Sequence, residues 1–368
     1  MKSLFICSRP LQILNTINFV FNNVEDSKIN SDLIIIEEFS NAKKIFNNIM
    51  ASHIFSNVKF IKREKLTRLR MRFFILFPKI HLFYRLGRIF NLSYNQIACS
   101  GWDLLFMSFA QILKGKSKMI IIDDGLASYS GDVRAIKFTN YKYKLLELLN
   151  IGPLCIHISA LYLNNLSVYR ADKWTQIKAL PSITANGCLM RQLDMIFSYA
   201  AHKIYQTKYI FIDDPHDSQT AEQSDAYGKI FKLITKTCDK VIVRPHPADY
   251  AKSVLDYKKM NMPESIKVDD GSNMWELVCN HSLSDNNVLI NIFSTAVFNP
   301  KLLFNKEPFI IFLCNIFNGA QSDIVLNLIN FLKNSYKDKW KIFVPNSLNE
   351  FANMLEKVNA MVGIQGVR

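Results

Sequence analysis

Short apolar runs rich in β-branched residues alternate with helix-length segments along most of this chain. That alternation constrains the fold to α/β with parallel sheets: parallel neighbours need a crossover, and a crossover helix covers the sheet face that the apolar strand must bury. The first series of predicted strands is Ser3–Cys7, Asp32–Glu38, Asn57–Ile61, Asn95–Ser100 and Lys118–Asp123. From about Lys137 to Ile196 the pattern loosens into two helical pieces and a loop around LPSITANGC. A second series follows at Lys208–Asp214, Asp239–Pro247, Ser265–Asp270, Asn287–Ser294 and Pro308–Leu313. A chain of 368 residues, at roughly 100–200 per domain, holds two such series as two doubly wound, Rossmann-like lobes. The expected division is 1–195 and 196–368, with the last helix able to pack back on the first lobe.

Charge narrows the partners. The 45 lysines and arginines exceed the 31 acids, leaving a net +14, which favours phosphates, nucleotides, acidic lipids or nucleic acid. No nucleic-acid-binding motif is present and the bases do not form one tract, so nucleic acid is not expected as a partner. The stretch Ile61–Phe90 interleaves Arg68, Arg70, Arg72, Lys79, Arg85 and Arg88 with Phe73, Phe74, Phe77, Phe83 and Tyr84. It reads either as a segment for an anionic membrane surface or as an amphipathic core helix with a solvated basic face, broken near Pro78. Arg9 and Pro10 interrupt the apolar start, which therefore reads as a strand and loop rather than a leader. No apolar run is long enough for a membrane span. The seven scattered cysteines lack metal-ligand spacing and read as reduced cytosolic thiols.

Four segments follow predicted strands, where open α/β sheets present ligands. In KMIIIDDGLASYSGD (Lys118–Asp132), Asp123 and Asp124 stand side by side where a buried strand ends, and Gly125 lets the backbone turn. One acid can accept a proton from a hydroxyl nucleophile while the other supports it, although the same pair also suits an ordinary turn. In VIVRPHPADY, Pro245 and Pro247 hold His246 beside Arg244, and a cationic imidazole can bind or protonate a departing phosphate. Ser294 and Thr295 end a strand and open a helix, as a phosphate cradle or as simple caps. Glu276 begins another helix, where an acid can hold ribose hydroxyls. A metal site at Asp213, Asp214 and His216 is a weaker candidate, since Asp217 suits the cap of the following helix. No GxGxxG, P-loop or HExxH pattern occurs.

Taken in order, Asp-Asp-Gly, His-Pro and the Ser/Thr pair resemble the motif set of bacterial lipooligosaccharide sialyltransferases and capsular polysialyltransferases. FICSRPLQILNT also resembles the strand and Pro-Leu-Gln turn that open lipooligosaccharide members. The resemblance runs over roughly residues 5 to 315. It implies a two-lobed GT-B fold and an inverting, metal-independent transfer of sialic acid from CMP-sialic acid, with no cofactor, to a bacterial surface glycan. It places the acceptor and general base on the first lobe and the CMP-sugar on the second. Asp124 is then the base, with Asp123 and Gly125 in support, and His246 the group that assists the leaving phosphate. Arg244, Pro247, Glu276, Ser294 and Thr295 are then the donor-binding set, with Thr295 departing from the Ser-Ser form of relatives. The implied location is cytoplasmic, with the inner face of the inner membrane as a peripheral option. VRPHPAD fits glycerophosphate or phosphosugar transferases of teichoic-acid-like polymers equally well, and a non-catalytic membrane-surface assembly protein is the rival from another class.

Overall fold

The computed structural model describes residues 2–22, 30–63, 68–87, 93–100, 103–129, 156–166, 176–185, 187–201, 203–213, 221–246, 263–292, 294–318 and 323–365. The chain divides into two compact units, Met1–Phe197 and Ser198–Arg368. Each is built on one wholly parallel sheet.

In the first unit the strands are β1 (Lys2–Cys7), β2 (Asn30–Ile36), β3 (Asn57–Ile61), β4 (Gln96–Cys99), β5 (Lys118–Ile122), β6 (Ala160–Leu163) and β7 (Ile177–Ala179). Their order is β3-β2-β1-β4-β5-β6-β7, so the winding reverses between β1 and β4. The apolar runs dictate this arrangement: Leu4–Cys7 and Leu33–Ile36 are buried on both faces, as only a sheet covered on both sides allows. The helices show the matching period. In α2 (Ala42–Ser52) the buried residues are Ala42, Ile45 and Ile49, one stripe of an otherwise polar helix.

α1 (Pro10–Asn22) is different, because Gln12, Asn15, Thr16 and Asn18 are buried along with its apolar residues. Asn18 Nδ2 donates to the Pro181 carbonyl at 2.8 Å, and Asn15 Nδ2 to the Asp123 carbonyl at 2.9 Å. Buried amides need such partners. Two further helices, α3 (Arg68–Leu76) and α4 (Pro78–Leu86), pack against α5 (Leu104–Ile112), and α6 (Gly187–Phe197) closes the unit.

The second unit holds β8 (Tyr209–Ile212), β9 (Val241–Arg244), β10 (Ile266–Val268), β11 (Val288–Asn291), β12 (Phe309–Phe312) and β13 (Ile342–Phe343). The order β10-β9-β8-β11-β12-β13 reverses between β8 and β11. Helices α7 (Ala221–Thr237), α8 (Trp275–His281), α9 (Asn299–Phe304), α10 (Cys314–Asn318), α11 (Asp323–Ser335) and α12 (Leu348–Gln365) accompany it. The described architecture is that of two Rossmann-like α/β units, the GT-B class of fold.

Two departures from the sequence reading have local causes. The loosened stretch before Ile196 contributes β6 and β7, and β13 adds a strand where none is expected. With four, three and two residues, these are too short to carry a period, and β7 is exposed throughout. Within the second unit, Phe351, Leu355 and Val358 of α12 lie in one core with Tyr227, Phe231 and Ile234 of α7.

The N-cap of α5 yields a test. Asp103 sits there with its Oδ1 accepting from Phe106 N at 2.9 Å. Burial pushes its carboxyl up to about 6 and Glu38 adds to the rise, against the backbone donors Phe106 and Leu105. A folded-state value above the unfolded one means the folded chain holds the proton longer, so stability falls as pH rises from about 4 to about 6. Asp103→Asn keeps a cap acceptor and removes the buried charge. Discounted for partial exposure, the variant gains ~1–2 kcal/mol of unfolding free energy at pH 7. Denaturant titrations show this gain shrinking to nothing as pH falls below about 4; a gap that stays constant with pH rules the explanation out.

Candidate active site

In the first unit the candidate residues gather where β5 ends. Asp123 continues the sheet, its N–H donating to the Tyr162 carbonyl at 2.9 Å, and its side chain is 1% exposed. That carboxylate is fully engaged. Oδ1 accepts from Gly125 N at 2.8 Å, and Oδ2 accepts from the Tyr129 hydroxyl and from both the backbone and the side-chain nitrogen of Asn164, each of these two at 3.0 Å. Burial pushes the Asp123 carboxyl up, and the donors from Tyr129, Asn164 and Gly125 pull it back. The Tyr129 phenol is held well above its ordinary range by burial and by the Asp123 charge, so it remains a donor. An acid bound by so many donors positions its surroundings and is not the one that exchanges protons.

Asp124 is placed differently. It is half-buried, its N–H donates to Ser128 Oγ at 2.8 Å, and its Oδ1 accepts from Gln12 Nε2 at 2.9 Å. Gln12 is itself buried and oriented, because its Oε1 accepts from Ser8 N at 2.6 Å. The turn just after β1 thus aims the amide of α1 at Asp124. Gly125 has φ 86, and a Cβ there would approach Leu11 Cδ2 of the same helix at 3.3 Å, so the glycine both permits the turn and lets α1 close in. At the end of β1, burial pushes the Cys7 thiol up to about 12, with the charges of Asp124 and Asp103 adding to it. The Asp-Asp pair is therefore unequal: one carboxylate is a buried anchor, the other a partly exposed acid oriented by Gln12 at the carboxyl edge.

In the second unit Asp213, Arg244 with His246, and Ser294 with Thr295 lie at or just beyond the carboxyl ends of β8, β9 and β11, around the reversal point, and Glu276 lies in the first turn of α8. His246 follows β9 by two residues and is half-buried behind a buried Pro245. Pro247, Asp214, His216 and Asp217 lie outside the described residues. Arg244 is buried and carries several partners of its own. Its Nη1 donates to Asp269 Oδ2 and to the Tyr205 hydroxyl, and its Nη2 to the Asn273 carbonyl at 2.8 Å. Its guanidinium also lies 5.3 Å from the Trp275 ring centroid. Arg244 is thus a buried tie across the sheet edge, held by Asp269, Tyr205 and Asn273.

Ser294 is buried, its N–H donates to Asn291 Oδ1 at 2.9 Å, and its Oγ caps the turn at Ala296 N, 3.4 Å away. Thr295 is exposed at the start of that turn. Glu276 is buried, and its Oε1 accepts from Asn299 Nδ2 at 2.9 Å. Burial pushes its carboxyl up, opposed by a backbone donor and the Arg244 charge. Trp275 Nε1 donates to the Ala296 carbonyl at 2.9 Å, so the start of α8 and the Ser294 turn are braced together. Asp213 is a buried acceptor for the Tyr227 hydroxyl at 3.0 Å. Among the described residues, no three His, Cys, Asp or Glu side chains gather as a metal-binding group.

Sequence reasoning missed Gln12, Asn15, Tyr129 and Asn164 around Asp123 and Asp124, and Tyr205, Asp269 and Asn273 around Arg244. A signal for the first group exists: polar residues at 12, 15, 16 and 18 break the apolar character of α1 at helical spacing. The second group carries no comparable mark.

No family model and no curated protein sequence matches the chain. Its fold is similar to that of solved structures at low identity. UDP-GlcNAc 2-epimerase from Methanocaldococcus jannaschii superposes with a TM-score of 0.54 at 11% identity, over 97% of this chain and 91% of the other. A sialyltransferase from Photobacterium damsela gives 0.52 at 12% identity, over 94% and 81%. The glycotransferase of kitacinnamycin gives 0.56 at 8% identity, over 98% and 95%. At such identities the likeness establishes the two-unit fold, and chemistry has to be argued from the residues.

Proposed function

We propose that this chain is a nucleotide-sugar-dependent glycosyltransferase that moves sialic acid from CMP-sialic acid to a sugar hydroxyl of a bacterial surface glycan, with inversion and without a metal. The observation that carries the proposal is the unequal fate of the two adjacent acids. A chain that needed only a turn would not bury one carboxylate under four donors in order to present the next, half-exposed and held by a buried glutamine, at a ligand-binding edge. The same fold in a sialyltransferase and in a UDP-GlcNAc epimerase supports use of a nucleotide sugar, and the ordered motifs favour the sialyl donor among these.

In this reading the acceptor hydroxyl gives its proton to Asp124 as the bond to the anomeric carbon forms. The bond to the CMP phosphate breaks, and His246 receives the departing oxygen with a hydrogen bond or a proton. Sialic acid reacts through an oxocarbenium-like centre, so charge leaving on the phosphate is the main quantity to stabilise. Ser294 and Thr295 are assigned to that phosphate and Glu276 to the ribose, while Arg244 keeps the β9 end in place. The site implies no bound cofactor beyond the donor. The competing reading, a glycerophosphate or phosphosugar transferase, rests on VRPHPAD and differs in donor.

Two experiments separate these statements. In an assay with CMP-sialic acid and galactose- or sialic-acid-terminated acceptors, Asp124→Asn and His246→Ala each lower kcat by about a hundredfold or more. Asp124→Asn leaves the thermal midpoint nearly unchanged, whereas Asp123→Ala strands Tyr129 and Asn164 and costs about 3 kcal/mol of stability. Near-wild-type turnover in Asp124→Asn sinks the assignment of the base. In the second experiment, thermal shifts are recorded with CMP-sialic acid, UDP-sugars and CDP-glycerol. The true donor class at a hundred times its Kd adds about 2.7 kcal/mol, and a response confined to CDP-glycerol selects the rival. EDTA leaves turnover intact, and a loss restored by Mg²⁺ would point instead to a metal-dependent transferase.

A further inference from the structure

Helices α3 and α4 form one amphipathic arm bent at Phe77–Pro78. Helical hydrogen bonding carries across the bend, from Phe77 N to the Phe73 carbonyl at 2.9 Å and from His81 N to the Phe77 carbonyl at 3.1 Å. The inner face is settled. Phe74, Ile75, His81, Leu82 and Leu86 are buried, and His81 Nδ1 pairs with Ser108 Oγ of α5 at 2.8 Å. The outer face is not. Phe73, Leu76, Phe77, Ile80, Phe83 and Tyr84 are all exposed, with Phe83 at 65% and Tyr84 at 58%. They are six of the twelve large apolar side chains exposed among the described residues, gathered within twelve consecutive positions. Their spacing of three or four residues continues one stripe across the bend, and the rings of Phe73 and Phe77 stand 4.9 Å apart.

Single exposed apolar residues are ordinary, but a contiguous aromatic stripe marks a surface that something covers. The charges identify what. Between Lys65 and Arg88 the sequence has seven lysines and arginines and no acid, half of the net +14, and no acid follows until Asp103. Arg70 and Lys79 are exposed on the arm itself, and Lys62 and Arg63 at the end of the preceding strand. A second copy of the same face would set these cations against one another. An anionic bilayer satisfies both features, since the headgroup phosphates neutralise the bases and the acyl boundary takes up the rings. We infer that the exposed face of α3 and α4 is a docking surface for anionic lipid, with the aromatic stripe inserted and the bases at headgroup level. No described helix is long and apolar enough to cross a membrane, so this contact is of the interfacial kind.

The test uses the full chain and sedimentation with vesicles of phosphatidylcholine alone or mixed with phosphatidylglycerol. The protein sediments with the mixed vesicles, stays in solution with the neutral ones, and is released as salt rises. Lys79→Gln lowers partition about fivefold, and Phe77→Ser/Phe83→Ser lowers it at least about tenfold, while thermal unfolding is unchanged because both rings are exposed. Three results overturn the inference: no binding to the mixed vesicles, wild-type partition in the double Phe variant, or a dimer that this variant converts to a monomer. The last would hand the stripe to a second copy.

Discussion

The buried Asp123 carboxylate is the constraint on which the first unit's site depends. Unpaired, it would be too costly to hold at a strand end with 1% exposure; satisfied by Gly125, Tyr129 and Asn164, it becomes the knot that ties β5, the turn after it and the end of β6. Asn15 of α1 joins from the other side, donating to the Asp123 carbonyl and accepting from Asn164 at 3.2 Å. With four segments converging on one residue, the direction of the next residue is no longer a property of a loop. Asp124 is aimed by the packing of the whole edge.

The second unit repeats the device with opposite charge. Arg244, pinned by Asp269, Tyr205 and Asn273, closes β9 against the residues that follow β10, and His246 lies two residues beyond it. Buried ion pairs seldom add net stability over apolar packing of the same shape, because desolvation offsets the attraction. What this pair supplies is position: two planar donors and a ring 5.3 Å away leave the backbone at β9 one arrangement. In both units a fully bonded charged group therefore stands next to, or nearly next to, a half-buried group able to move a proton. The bonded partner meets the structural demand so that the candidate proton-transfer group need not, an arrangement that suits groups required to act in fixed geometry.

Much of this was legible in the residues. Parallel sheets follow from apolar runs such as KMIII and FIIF, which have no polar face, and the placing of candidate groups at strand ends follows from the sheets. β6, β7 and β13 were not legible, since a three-residue exposed strand such as IKA is defined by its neighbour and not by its own pattern. The partners of the charged groups were not legible, for one consistent reason. A sequence displays Arg244 beside His246 but not Asp269, which is 25 positions away; it displays Asp123 and Asp124 as equals, because Gln12, 112 positions from Asp124, and Asn164, 41 positions from Asp123, decide between them. Long-range partners assign roles to short-range motifs. Ser294 and Glu276 likewise gain partners that their own segments do not display, in Asn291 and Asn299.

The arm of α3 and α4 bears on what the acceptor can be. It packs on α5, so the aromatic stripe and the candidate base belong to one compact unit, Met1–Phe197. An enzyme whose acceptor is a free soluble sugar has no use for a stripe of six exposed apolar side chains; such a surface invites aggregation unless it is occupied. On the proposed function and the inferred lipid contact, an acceptor glycan carried on a lipid fits the combination, because the bilayer would confine that glycan near the unit that carries the proposed base. Confinement raises its effective concentration without any further contact to the sugar itself. On this argument the unit carrying Asp124 requires little sugar-binding surface of its own.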